Sequence, residues 1–219
     1  MTALAMLTHN RVQLALHELR AAPAPATRPL LLLHGLGERS IEAVPTWAAS
    51  WPGAVHALDF TGHGSSTIPR GGGYSAELLL ADADAALAAL GEMTIVGRGL
   101  GAYIALMLAG ARPTQVRGAL LCDGPGLAGG AVGPTSQSFV TLPPTTRPPD
   151  PYALFELSRD LRPPDYATLF ARLAVEHSGL EEPIAVAAVV RPPWLAAVVD
   201  EVGVSVTTIE RALGAFARI

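Results

Sequence analysis

The stretch Ile95-Val96-Gly97-Arg98-Gly99-Leu100-Gly101-Ala102 decides how this chain of 219 residues is read. Apolar β-forming residues lead into it and the apolar run 103–109 leads out of it, which is the pattern of a strand, a sharp turn and a helix. The turn has the spacing Gly-x-Ser-x-Gly, with Gly99 where that pattern carries serine. Such a turn holds its central residue in a sparsely allowed backbone conformation, at a cost of about 1–3 kcal/mol for a residue with a β-carbon. Glycine adopts it readily. The turn is therefore expected to persist, with the space above Gly99 left open.

Upstream, residues 93–96 read as a strand and 75–90 as a helix, with Ser75 as N-cap and Gly91 just past its end. Residues 54–60 are a strand that runs into the glycine turn Thr61-Gly62-His63-Gly64-Ser65, and 43–50 are a short helix. Leu30-Leu31-Leu32-Leu33 is wholly apolar, as a strand buried on both faces must be. It breaks at His34-Gly35-Leu36-Gly37. Residues 11–20 alternate as a strand, and 7–9 can pair with them as a hairpin.

Downstream, 116–124 read as another strand. Residues 125–151 are then rich in Pro, Gly, Ser and Thr, which predicts irregular structure that is mobile in solution. Helices are expected over 152–161 and 164–179, a strand over 183–190, a helix over 194–202, a minimal strand over 204–206 and a closing helix over 208–219. The alternation of strand and helix predicts an α/β fold: a three-layer α/β/α sandwich on a mostly parallel sheet with right-handed crossovers. Residues 1–124 and 183–219 would form the core domain, and 125–182 a lid inserted after the sixth core strand.

Composition narrows the function. Half of the residues are apolar and 16% charged, which excludes disorder. A net charge of −4 with scattered basic residues leaves no footprint for nucleic acid. All 15 basic residues are arginine, a bias that a GC-rich genome produces through codon usage alone. One cysteine permits no internal disulfide, no apolar run is long enough to span a membrane, and the first residues lack the features of a secretory signal. A cytoplasmic protein without cofactor or metal is expected.

Three signatures, residues 31–37 (LLLHGLG), 58–66 (LDFTGHGSS) and 95–102 (IVGRGLGA), together resemble the α/β-hydrolase superfamily in type, order and spacing. The resemblance covers essentially the whole chain and implies the same α/β sandwich. It also implies an oxyanion hole built from backbone N–H groups near Leu36, in the His34-Gly35 loop, and at Leu100. The family's nucleophile would stand at Gly99, which has no side chain to attack with. Its acid would follow the strand at 183–190, where Arg191-Pro192-Pro193-Trp194 offers no carboxylate. Its histidine would precede the last helix, yet residues 203–211 contain none. Some members carry the acid after the sixth strand, where Asp123 stands; here it has no histidine to orient.

The candidate site is therefore His34, Gly35, Leu36, Arg98, Gly99 and Leu100, with Asp123 as a residual acid. Arg98 beside a helix N-terminus could hold a carboxylate or phosphate, or turn away and pair with a nearby acid. His34 and His63 lie at strand C-termini, where open α/β sheets bind ligands, but their spacing supports no metal site. Cys122 is expected to be buried and inert, and Ser65 and Ser66 to hydrogen-bond within their turn. The apolar residues Leu154, Phe155, Leu157, Leu169, Phe170 and Leu173 would pack on the sheet or roof an apolar cleft. Two readings stand: a non-catalytic protein binding a small apolar or acyl-bearing molecule or a protein partner in the former cleft, or an esterase-like hydrolase with displaced chemistry using His34, His63 or Asp123.

Overall fold

The computed structural model describes residues 3–9, 11–23, 27–130, 142 and 145–219. Eight strands form one sheet: β1 (Ala3–His9), β2 (Val12–Arg20), β3 (Leu30–Leu33), β4 (Val55–Leu58), β5 (Met93–Arg98), β6 (Val116–Cys122), β7 (Ile184–Val186) and β8 (Val204–Val206). Their order is β1-β2-β4-β3-β5-β6-β7-β8. β2 runs antiparallel to both of its neighbours, and every pair from β4 onward is parallel. The central strands β3 and β4 are buried at every position, because helices cover the sheet on both faces.

One face carries α1 (Ala76–Leu90), α2 (Leu100–Ala111), α4 (Pro164–His177) and α5 (Pro193–Val199), packed on Leu31, Leu33, Ile95, Leu121 and Val186. The other face, with Leu30, Leu32, Ala57, Val96 and Cys122, is covered by α6 (Ile209–Phe216) and a single 3-10 turn, Thr46–Ala48. These are the three layers that the alternation of elements predicts. α1 is closed at both ends as read from sequence: the Ser75 hydroxyl accepts the Leu78 N–H, and Gly91 takes a left-handed φ of 77°. α2 is apolar on every side and buried from Leu100 to Gly110, as a helix enclosed on all faces must be.

Two elements differ from expectation. The helix expected over 43–50 is only the 3-10 turn, bracketed by Pro45 and Pro52. The strand expected over 183–190 stops at Val186, because the N–H groups of Val189 and Val190 turn to the Asp123 carboxylate at 2.7 and 2.9 Å. The segment expected as a lid supplies two helices. α4 belongs to the helix layer: the backbone of Phe170 presses on Gly110 of α2, and Ala167, Ala171 and Ala174 are buried between them. α3 (Pro151–Leu157) is tied to the loop ahead of α1, through Tyr74 Oη donating to Asp150 at 2.7 Å and the Gly73 and Tyr74 N–H groups donating to Glu156. Of the segment 125–151, for which mobility is expected, residues 131–141, 143 and 144 lie outside the described residues.

Candidate functional site

β5 ends at Arg98, Gly99 turns the chain, and α2 begins at Leu100. Gly99 has φ 59° and ψ −123°, a conformation open to glycine and strained for other residues. The predicted turn is therefore present. Beside it, the loop after β3 brings Leu36 to the same point from the neighbouring strand, since β3 and β5 pair in parallel with Leu33 opposite Gly97.

The backbone donors of the two loops do converge, and they converge on a group of the chain itself. The Leu36 N–H donates to the Pro125 carbonyl at 3.0 Å, and the Leu100 N–H donates to the same oxygen at 2.9 Å. The expectation that the space above Gly99 is open is thus overturned. A β-carbon built on Gly99 would stand 2.6 Å from the Gly124 carbonyl carbon and closer still to the Pro125 oxygen. A β-carbon on Gly35 would meet the Pro125 ring and carbonyl at 2.9 Å. Glycine is required at both positions by the approach of this backbone, so the Gly124-Pro125 peptide lies where the side chain of a nucleophile and a bound carbonyl would be.

Other side chains fix that segment. The Asp123 carboxylate accepts from Val189 and Val190, so the residual acid holds a loop and faces no base. Arg162, only 1% exposed, donates to the carbonyls of Gly126 and Leu127 and lies over the Tyr103 ring with its guanidinium carbon 4.8 Å from the centroid. Trp194 Nε1 donates to Leu127 at 2.8 Å. Asp123 was singled out from sequence as a residual acid, whereas Pro125, Arg162 and Trp194 were not singled out as holding this segment. The available signal was the run Asp123-Gly124-Pro125-Gly126, a proline between glycines directly after a strand, opposite a glycine at the elbow.

His34 accepts the Phe60 N–H at Nε2 (3.1 Å), which leaves its proton on Nδ1, 2.7 Å from the Gly35 carbonyl. His63 is engaged in the same way: Nε2 accepts from Gly37 at 3.2 Å, and Nδ1 faces the Thr61 carbonyl at 3.1 Å. Burial, with the neighbouring His63, pushes His34 down to about 4, and burial lowers His63 as well. Both rings are neutral tethers with no free nitrogen for a proton or a metal. Among the described residues no three His, Cys, Asp or Glu side chains stand together as a metal site needs.

Arg98 is half exposed and turns to Glu38, 3.4 Å away; the other oxygen of Glu38 accepts the Gly35 N–H. Of the two alternatives for Arg98, pairing with an acid is the one the geometry contains. Burial, with Asp123 next to it, pushes the Cys122 thiol up to about 12, which suppresses the reactive thiolate. Ser66 Oγ donates to the Asp59 carbonyl and accepts the Ala15 N–H. Ser65 gives its N–H to the Asp59 carboxylate.

An eight-stranded, mostly parallel sheet between two helix layers, with a sharp turn after β5 and N–H donors from two loops, defines an α/β-hydrolase architecture. Residues 30–217 match the alpha/beta hydrolase family, and the chain belongs to that family. Among solved structures it is similar to the thioesterase domain from the curacin biosynthetic pathway, with a TM-score of 0.67 at 14% identity over 100% of this chain and 98% of that one. It is also similar to a membrane phospholipase A described as a bacterial virulence factor, with a TM-score of 0.52 at 17% identity over 95% and 79% of the two chains. At these identities the likeness is one of fold. No curated protein matches the sequence. No helix among the described residues is long and apolar enough to cross a membrane.

Proposed function

We propose that this chain is a non-catalytic member of the α/β-hydrolase family that acts by binding a small apolar molecule or a protein partner. The observation that carries this reading is the Pro125 carbonyl, held by Leu36 and Leu100 above Gly99. An oxyanion hole without its triad still leaves roughly 10³–10⁴ of rate over water in enzymes whose donors are free. Here the donors are taken by the chain itself, and that residual stabilisation is withdrawn.

The alternative, an esterase with displaced residues, needs a base. His34 and His63 have both ring nitrogens engaged, so neither can take a proton from water without breaking a structural bond, and Asp123 is held on two backbone N–H groups with no histidine to orient. In the same reading, the described part of 125–163 serves to hold the elbow closed rather than to open and shut over a substrate.

Steady-state hydrolysis of short- and medium-chain activated esters, measured beside heat-inactivated protein, tests the proposal. Rates equal to the inactivated blank are expected. Turnover that saturates with ester concentration would overturn it.

A further inference from the structure

The two faces of the sheet are covered unequally. Four helices lie on one face, whereas the connection from β3 to β4 supplies only the Thr46–Ala48 turn to the other. Toward the C-terminal ends of β3, β4, β5 and β6 this thin cover leaves a cavity of about 880 Å³. Its floor is Leu32, Ala57, Val96 and Cys122, all on the thinly covered face, and Trp47 and Ile209 contribute to its walls. That volume over an apolar floor is an attribute of small-molecule sites, and charged and polar side chains make up much of the remaining lining. Arg98, Glu38 and Asp123 line it too, so it begins beside the elbow that Pro125 closes.

The charges around the cavity say what kind of molecule fits. Five charged groups line it: Glu38, Glu42 and Asp123 against Arg39 and Arg98. Each is already answered within the chain. Arg98 pairs with Glu38 at 3.4 Å, Arg39 with Glu42 at 3.0 Å, and Asp123 accepts two backbone N–H groups. With both guanidiniums already paired, three carboxylates against two guanidiniums leave the lining net negative, which disfavours an anion. We infer that the cavity on the α6 side of the sheet, floored by Leu32, Ala57, Val96 and Cys122, binds an uncharged apolar small molecule. The inference rests on the binding reading above and gives it a place away from the closed elbow.

Trp47, in the wall, reports occupancy. The experiment follows tryptophan emission of the full chain through titration with 1-decanol or with decanoate. Decanol shifts the emission to saturation, with about nine-tenths of the change reached at ten times its dissociation constant. Decanoate at the same concentration gives less than about a fifth of that change, because the net negative lining opposes its charge. In Trp47→Phe the decanol signal is lost. Absence of a saturable change with decanol overturns the site, a change that persists in Trp47→Phe overturns its location, and an equal response to decanoate overturns the ligand class. Emission is blind to turnover, so these outcomes are separate from those of the ester assay.

Discussion

At the scale of the residue, Gly99 and Pro125 define each other. A side chain at position 99 would have to occupy the space of the Gly124-Pro125 peptide and would hold a left-handed φ of 59°. Gly99→Ala therefore carries two costs, steric overpacking of about 1–3 kcal/mol and backbone strain of about 1–3 kcal/mol. Gly179 has a φ of 70° but no atom within 4 Å of a built β-carbon, so Gly179→Ala carries only the second cost. Urea unfolding of the two variants should show Gly99→Ala to be the less stable by about 1–3 kcal/mol; equal destabilisation would mean that the peptide above Gly99 yields freely. The same collision predicts that Gly99→Ser restores no esterase activity, because the serine would displace the peptide without gaining a histidine. The missing side chain was legible in the sequence. The reason for it was not, since the turn at 99 and the peptide at 124–125 meet only after β5 and β6 have paired.

At the scale of the element, the segment from Asp123 to Leu127 is held by neighbours distant in sequence. Trp194 of α5 and Arg162, just before α4, fasten its carbonyls, so it is part of the helix layer rather than a free loop. Arg162→Met keeps the apolar stem and removes the donors, leaving the Gly126 carbonyl without that partner at about 1–3 kcal/mol, while Leu127 keeps Trp194. The expected outcome is a fall in thermal stability together with faster amide exchange at Leu36 and Leu100, whose N–H groups depend on the position of Pro125. Unchanged exchange at those two amides would show that Pro125 is held without Arg162. Strands β3 to β6 could be read from sequence because each is a short apolar run ended by a glycine turn. β7 was read too long because 187–190 have the same apolar character, and only the carboxylate of Asp123, from the neighbouring strand's end, redirects them. That α4 packs on α2 was not legible because sequence marks a helix and its apolar stripe, but not the helix against which the stripe packs.

At the scale of the whole molecule, buried ionisable groups of opposite tendency set how stability changes in mild acid. His34 is held down to about 4, and His56 and His63 are lowered by burial. The unfolded chain takes up protons at these rings below about pH 6.5 before the folded one does, and stability falls with pH through that range. Asp82, enclosed beneath the β1–β2 hairpin with Thr61 and His9 as partners, is pushed up to about 6 by burial, and so is Asp160. These two carboxyls bind protons in the folded state first, so between about pH 6 and pH 4 they add stability as pH falls and oppose the loss from the histidines. Asp82→Asn removes one opposing contribution of roughly 2–3 kcal/mol, and the variant should lose stability between pH 6.5 and pH 4.5 more steeply than the parent chain. Urea unfolding at half-unit intervals of pH measures the difference. Parallel curves for variant and parent would show that Asp82 is ionised in the folded protein throughout this range, with its contacts to Thr61 and His9 outweighing burial.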